Sequence, residues 1–266
     1  MSSLEREVAE LLGESSADAP ALVEAADGDR DGALALARRR LAGAPLALLT
    51  GKASFLGLEL LAEDGVLAPR DETELLAATA VRLALEQEAA RVIDIGCGAG
   101  NLTCAVAAGA HGATVYAADI AEAAVSLTRR NADRLGLGAR VHVAAGDVFD
   151  AFAGLGLEGT IDLVVCNPPY ISTGRLGKDR AQLLDHEPRE AFDAGPFGIA
   201  IQQRVIRDSP GFLRDGGWLA LEVGLGQGPQ VEKLFARAGV YDSPLTALDS
   251  DGEVRVVYAR KAVATA

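Results

Sequence analysis

Cysteine is scarce in this 266-residue chain, and the three that occur exclude most of what cysteines do. Cys97, Cys104 and Cys166 form no C-x-x-C pair, and His111, His142 and His186 do not complete a zinc spacing with them. Buried, reduced thiols are expected, and no metal. Lysine is nearly absent as well: four of the 25 basic residues are Lys, and the net charge is −13. Affinity for nucleic acid comes mostly from Lys and Arg on phosphates, so an extended nucleic-acid surface is excluded. A basic partner, or one read by shape, is not. No apolar run reaches the roughly eighteen residues that a membrane helix needs. The first residues, Met1-Ser-Ser-Leu-Glu-Arg-Glu7, are polar and acidic, unlike a signal peptide, so a cytoplasmic protein is expected. A monomer is the expected state.

What is present is a globular composition, 49% hydrophobic and 24% charged, long enough for one large domain or a standard domain with an appendage. Residues 1–43 carry Leu4, Val8, Leu11 and Leu12, then Leu34, Leu36 and Leu41, at helical spacing, which predicts a small helical domain. Asp18 and Pro20 are expected to cap and open a middle helix, and Asp29 or Asp31 the next. Residues 44–70 change character. Asp64-Gly65 between apolar runs signals a hairpin, so this stretch reads as a two-stranded linker.

A helix is predicted from Arg70-Asp-Glu-Thr-Glu74 to near Glu88, opening the main domain, 71–266. From Arg91 strands and helices alternate. Strands are expected at 91–95, 114–118, 140–145, 161–166, 217–223, 244–249 and 254–260. Helices are expected at 100–109, 121–136, 198–214 and 228–238. Alternation of this kind makes βαβ units and a parallel sheet. The last two strands follow each other without a helix, so the final one enters antiparallel.

The stretch with the most chemistry is Ile161-Asp-Leu-Val-Val-Cys-Asn-Pro-Pro-Tyr-Ile171. Its first six residues suit an interior parallel strand, and two prolines force the chain out of the sheet at Asn167. Ligands of open α/β sheets bind at such carboxyl ends. Pro168 restricts Asn167 to extended backbone. The Asn167 carboxamide oxygen and a backbone carbonyl can then accept both hydrogens of an –NH2 group, while Tyr170 offers a ring to a flat substrate. A rigid strand exit without chemistry would use the same residues.

Val92-Ile-Asp-Ile-Gly-Cys-Gly-Ala-Gly100 is a strand running into a glycine turn. The spacing is G-x-G-x-G, not the G-x-G-x-x-G of dinucleotide binders, and Asp94 would oppose a pyrophosphate. Asp94 suits a ligand ammonium instead; a plain tight turn is the alternative. Asp119 ends the next strand, where a carboxylate grips ribose hydroxyls. Asp147, beside Val148 and Phe149, suits an adenine amino group. Each acid singly is more often a helix cap. Three at successive strand ends, followed by Asn167, point to one nucleoside-like ligand.

On these motifs the chain resembles a class I S-adenosylmethionine-dependent methyltransferase. More narrowly, it is similar to the HemK/PrmC family, the release-factor glutamine N(5)-methyltransferases. The resemblance spans roughly residues 40–260. It includes Pro45-Leu-Ala-Leu-Leu-Thr-Gly51, the Phe55/Gly57 hairpin, Pro69-Arg-Asp-Glu-Thr-Glu74, the glycine loop and Asn167-Pro168-Pro169-Tyr170. It continues through His186-Glu-Pro-Arg189 and Leu221-Glu-Val-Gly224.

It implies a Rossmann-like, mostly parallel seven-stranded sheet with an antiparallel last strand, preceded by helices (1–43) and a hairpin linker (44–70) that grip the partner. The cofactor is S-adenosylmethionine, leaving as S-adenosylhomocysteine. The cofactor set is Asp94, Gly96, Cys97, Gly98, Ala99, Gly100, Asp119, Ile120, Asp147, Val148 and Asn167. Asn167, Pro168 and Tyr170 are the catalytic set. These three with Pro169 contact the glutamine of the Gly-Gly-Gln loop in class I peptide chain release factors. Apart from the resemblance, Arg70 or Arg189 is a candidate for binding a substrate backbone or carboxylate, although single arginines more often sit in surface ion pairs.

The chain departs from the family at Asp71, at Ala47 or Leu48, and at Asp193-Ala-Gly-Pro-Phe-Gly198, all on the substrate side. The same N-methyl transfer to another acceptor is the alternative: a ribosomal-protein glutamine, a small amide or guanidinium, or a nucleobase. A non-catalytic binding module is a third reading, which intact Asp94, Asp119, Asp147 and Asn167 oppose. His186 and Glu187 invite an acid–base role, although a loop histidine beside a proline is more often structural.

Overall fold

The computed structural model describes residues 1–171, 187–192 and 198–263. Four short helices come first: α1 (Ser3–Leu12), α2 (Ala19–Ala25), α3 (Arg30–Leu41) and α4 (Leu46–Thr50). Ser2 and Glu5 form a capping box at α1, each side chain bonding the other's backbone N–H. Asp29 caps α3, accepting the Gly32 N–H at 2.7 Å. Asp18 precedes α2 but makes no cap. Its carboxylate goes instead to Arg40 Nε at 2.7 Å on α3, because a charge-assisted pair outweighs a bond to a neutral backbone donor. Val8, Leu12, Leu22, Ala33, Ala37 and Leu49 bury one another between these helices.

A hairpin follows, with its turn elsewhere than expected. β1 (Lys52–Phe55) and β2 (Leu58–Leu61) pair antiparallel with Phe55 opposite Leu58. The turn is therefore Leu56-Gly57, at φ 47° and 77°, the left-handed geometry a two-residue hairpin turn requires. Asp64-Gly65 lies beyond the hairpin. Burial decides the register: it puts Ala53, Phe55, Leu58 and Leu60 on one face, and Phe55 and Leu60 are both buried in the main core.

The next helix begins with a 3-10 turn, Asp71–Thr73, and α5 spans Glu74–Ala84, stopping short of Glu88. The sheet strands are β3 (Arg91–Ile95), β4 (Thr114–Asp119), β5 (Val141–Ala145), β6 (Ile161–Cys166), β7 (Leu213–Glu222), β8 (Leu245–Leu248) and β9 (Val254–Arg260). Their order is β5-β4-β3-β6-β7-β9-β8. β3 to β7 run parallel, and β9 enters antiparallel between β7 and β8. β7 begins four residues before the expected 217, through a register shift opposite Ile161 to Leu163 where Gly217 approaches the Ile161 carbonyl.

Helices α6 (Asn101–Gly109), α7 (Glu122–Arg134), α8 (Ala200–Phe212) and α9 (Gly228–Ala238) flank the sheet. One face carries a core with α5 and α6, the other with α8 and α9. From β3 the chain adds strands first on one side and then on the other, which leaves a crevice at the carboxyl ends of β3 and β6. The three cysteines are buried free thiols. No described helix is long and apolar enough to cross a membrane.

Candidate active site

The glycine turn leaves β3 into that crevice. Gly96, Gly98 and Gly100 have φ of 73°, 56° and 82°, values an L side chain rarely adopts. A Cβ added at Gly96 or Gly98 would meet nothing within 4 Å, so open space lies above the loop. At Gly100 it would come within 3.0 Å of Thr128, because here the loop packs on α7.

Asp119, at the end of β4, ties this loop down. Its Oδ2 accepts the Gly98 N–H at 3.0 Å and its Oδ1 the Ala121 N–H at 2.9 Å. Ile120, next to it, is 67% exposed, a large apolar side chain facing solvent beside the loop. Cys97 is buried, with its thiol pushed up by desolvation and further by Asp94, while Thr128 opposes. Ala99 is buried too.

Asp94 is fully buried. Its Oδ2 accepts the Thr103 hydroxyl at 2.6 Å, while its Oδ1 has no hydrogen-bond partner. Burial raises its pKa to about 7; the Thr103 bond opposes and Asp119 adds to the rise. Asp147 departs from the expectation of an acceptor left for a ligand. It is exposed, and its Oδ2 takes Arg204 Nη1 at 2.6 Å from α8. Val148 is buried at φ 54°, a left-handed conformation that costs a β-branched residue about 1–3 kcal/mol.

At the carboxyl end of β6, Asn167 Nδ2 donates to Thr73 Oγ1 at 3.0 Å. Its Oδ1 is thereby turned away from Thr73. Pro169 and Tyr170 follow, half-buried. The Tyr170 carbonyl accepts Gln227 Nε2 at 2.9 Å, and the ring lies over Gly224, where a Cβ would sit 3.0 Å from Cδ2. Burial raises the Tyr170 phenol, and Glu222 and Glu72 raise it further against Arg255.

Glu222, the last residue of β7, is buried with Arg255 Nη2 3.8 Å from its Oε1. Neither carboxylate oxygen has a hydrogen-bond partner, although the Thr73 hydroxyl lies near enough to lower its pKa. Burial outweighs Thr73 and Arg255 and raises Glu222 to about 7.

Arg70 does not stand free for a substrate. Glu187, buried, binds it and also accepts the Ala68 N–H at 2.9 Å, so this acid has a structural task. His186 and most of the 193–198 segment lie outside the described residues.

Sequence reasoning passed over several residues here. Asn131, fully buried on α7, accepts the Leu61 N–H at 2.7 Å and donates to the carbonyls of Leu61 (3.1 Å) and Ala99 (2.8 Å). It joins hairpin, helix and glycine loop. The signal was an asparagine on the Ala124-Leu127-Thr128 stripe of a helix, where an apolar residue belongs. Thr73 and Glu222 lie inside the Pro69–Glu74 and Leu221–Gly224 motifs but had no role assigned, and Gln227 and Arg255 had no signal. Clefts of about 380 Å³ between α8 and α9 and about 350 Å³ between α7 and β5 include none of the glycine loop or Asn167–Tyr170 residues.

The methyltransferase small domain family matches residues 71–196. The release factor glutamine methyltransferase of Gloeobacter violaceus is 38% identical over 235 residues, 88% of this chain and 81% of that protein. The chain belongs to the release factor glutamine methyltransferase family. The member from Geobacter sulfurreducens is 36% identical over 225 residues, covering 85% of this chain and 76% of its own. A solved methyltransferase from Pyrococcus furiosus, 15% identical, aligns with a TM-score of 0.53 over 78% of this chain and 91% of that one, which shows the shared fold.

For a release factor glutamine methyltransferase, the crevice offers what a methyl-donor nucleoside needs. The space above Gly96 and Gly98, the exposed face of Ile120 and the orphaned Asp94 Oδ1 fit such a group. At the end of β6 stands the Asn167 carboxamide, its Nδ2 engaged by Thr73.

Proposed function

We propose that this protein methylates the side-chain amide nitrogen of the glutamine in the Gly-Gly-Gln loop of class I release factors, acting as a cytoplasmic monomer. The observation that carries this reading is the orientation of Asn167, whose Nδ2, and not its Oδ1, is the atom that engages Thr73. S-adenosylmethionine supplies an electrophilic sulfonium methyl and leaves as S-adenosylhomocysteine. The main chain of Gly96 to Gly100, with Cys97 and Ala99, would hold it above β3. Asp119 and Ile120 would take the ribose and adenine side, with Asp147 and Val148 beyond them. Asp94 would face its ammonium group.

An amide nitrogen is a poor nucleophile because its lone pair is delocalised into the carbonyl. Catalysis therefore rests on position and electrostatics. Asn167 Oδ1 and the Pro168 carbonyl accept the two N–H hydrogens and aim the nitrogen. Both oxygens also stabilise positive charge as it develops there. Pro169 and the Tyr170 ring flank the amide plane. No general base is needed before attack, since the proton leaves afterwards to water. Arg70, bound by Glu187, supports this wall by fixing the segment that leads from Ala68 to Thr73. The helices of residues 1–43 and the hairpin of 44–70, set before the 71–266 domain, would grip the release factor.

The test is transfer of labelled methyl to purified class I release factor, with a Gln→Ala change in its Gly-Gly-Gln loop as control. Label on the wild-type factor alone supports the reading. Label on neither, with cofactor binding intact, moves the acceptor elsewhere.

A further inference from the structure

We infer that Thr73 and Glu222 are positioning residues that decide which end of the Asn167 carboxamide faces the methyl acceptor. The inference rests on the reading of Asn167 given above and extends it to residues that never touch the substrate.

A carboxamide has nearly the same shape in its two orientations, but one presents an acceptor and the other two donors. Only the first can receive the N–H hydrogens of a glutamine amide. Nothing in the Asn-Pro-Pro-Tyr backbone distinguishes them, since proline restricts the backbone and not the last torsion of the side chain. The distinction comes from Thr73, whose Oγ1 lies 3.0 Å from Nδ2 and accepts from it.

A hydroxyl is both donor and acceptor, so Thr73 alone would tolerate either orientation. Its own proton must be committed elsewhere. Thr73 is fully buried, without water to turn toward, and the group it faces is Glu222. Burial raises Glu222 to about 7, so above that pH it is ionised, and an ionised carboxylate only accepts. Neither Glu222 oxygen has a hydrogen-bond partner in its resting geometry, and the donors that bear on it are the Thr73 hydroxyl and Arg255 Nη2 at 3.8 Å. With that proton turned to Glu222, Thr73 shows Asn167 a lone pair, and Asn167 must answer with Nδ2.

Arg255 serves the same carboxylate from the other side. It lies on β9, where Glu222 pairs with Val256, and its guanidinium sits 3.8 Å from Glu222 Oε1 and beside the Tyr170 hydroxyl. One buried acid thus stands behind both Asn167 and Tyr170. Its place is given by the sheet: Cys166 pairs with Leu221, which sets Glu222 level with Asn167 at the ends of adjacent strands.

The experiment compares T73V, which keeps the shape of threonine without its hydroxyl, with T73S, which keeps the hydroxyl, and E222Q, whose amide can donate to Thr73 and reverse its proton. N167A is the control. Methyl transfer to release factor is measured above pH 8, where Glu222 is ionised, as kcat and KM, with cofactor affinity measured separately by calorimetry. T73V is expected to lose about tenfold in kcat, the equivalent of one neutral hydrogen bond, and E222Q a similar factor. Cofactor affinity and release-factor KM stay within about twofold, and T73S recovers most of the kcat.

A second readout needs no turnover. The chain has three asparagines, Asn101, Asn131 and Asn167, so [15N]asparagine labelling yields three side-chain amide pairs, and N167A identifies the relevant one. That pair shifts in T73V and E222Q and stays in T73S. An unshifted Asn167 pair or wild-type kcat in T73V, with N167A inactive, overturns the positioning role alone. Turnover retained in N167A overturns the reading of the site itself.

Discussion

Replacing Asn131 by alanine tests whether one side chain couples the hairpin to the glycine loop. The substitution removes three hydrogen bonds, at 2.7, 2.8 and 3.1 Å, from a fully buried residue. At about 1–1.5 kcal/mol each they amount to about 3–4 kcal/mol. Alanine returns about 0.5 kcal/mol of helix propensity. The net loss is about 3 kcal/mol, which for a chain of this size lowers the melting temperature by about 6–12 °C. The Ala99 carbonyl, in a buried residue of the glycine loop, is left without this partner, so cofactor affinity should fall along with stability. Urea or thermal unfolding of the apo protein gives the first quantity and calorimetric titration the second. Arg130→Ala, one residue away, is the control: its exposed pair with Glu63 contributes little, so its melting temperature stays within about 2 °C of wild type. Equal, small shifts in both variants would refute the coupling.

Asn167→Ala should lower kcat by about 10²–10³-fold, the range for deleting one preorganised polar contact to a developing charge, with cofactor affinity within about threefold; unchanged turnover would refute its role. Asp94 and Glu222 both titrate near 7 in the folded protein, raised by burial, so the native state holds protons that the unfolded chain releases. Stability of the apo protein should therefore fall as pH rises from about 4 to about 7. Asp94→Asn should flatten that slope; urea midpoints at pH 5 and pH 8 that change equally in both proteins would oppose it. Leu56→Asn should raise the melting temperature by about 1–3 °C, since asparagine accepts the positive φ at the hairpin turn that leucine resists. A decrease would show that Leu56 packs where it is exposed.

Much of the fold was legible because its signals are local. Apolar runs broken by glycine and proline mark strands whatever surrounds them, and the Pro168-Pro169 pair ends β6 on steric grounds alone. The final antiparallel strand followed from the missing helix between β8 and β9. The glycine loop, Asp119 and Asn167 could be placed because each stands at the end of such a strand. The polar partners that were not foreseen share one cause. Asp18 left its helix cap for Arg40, Asp147 pairs with Arg204, and Arg70 with Glu187, each through a partner distant in the chain. The hairpin turn moved to Leu56-Gly57 because burying Phe55 and Leu60 outweighed the turn preference of Asp64-Gly65.

Local signals in the chain fix the order of strands and helices, the crevice at their carboxyl ends and the residue types placed at those ends. Those depend on backbone geometry and on hydrophobic period, which neighbours in the chain decide. Which polar groups meet is settled by packing. Asn131 with Leu61 and Ala99, and Thr73 with Asn167 and Glu222, are separated by tens of residues or more and brought together by the sheet. A buried polar atom must find a partner, and which partner it finds is a property of the packed molecule.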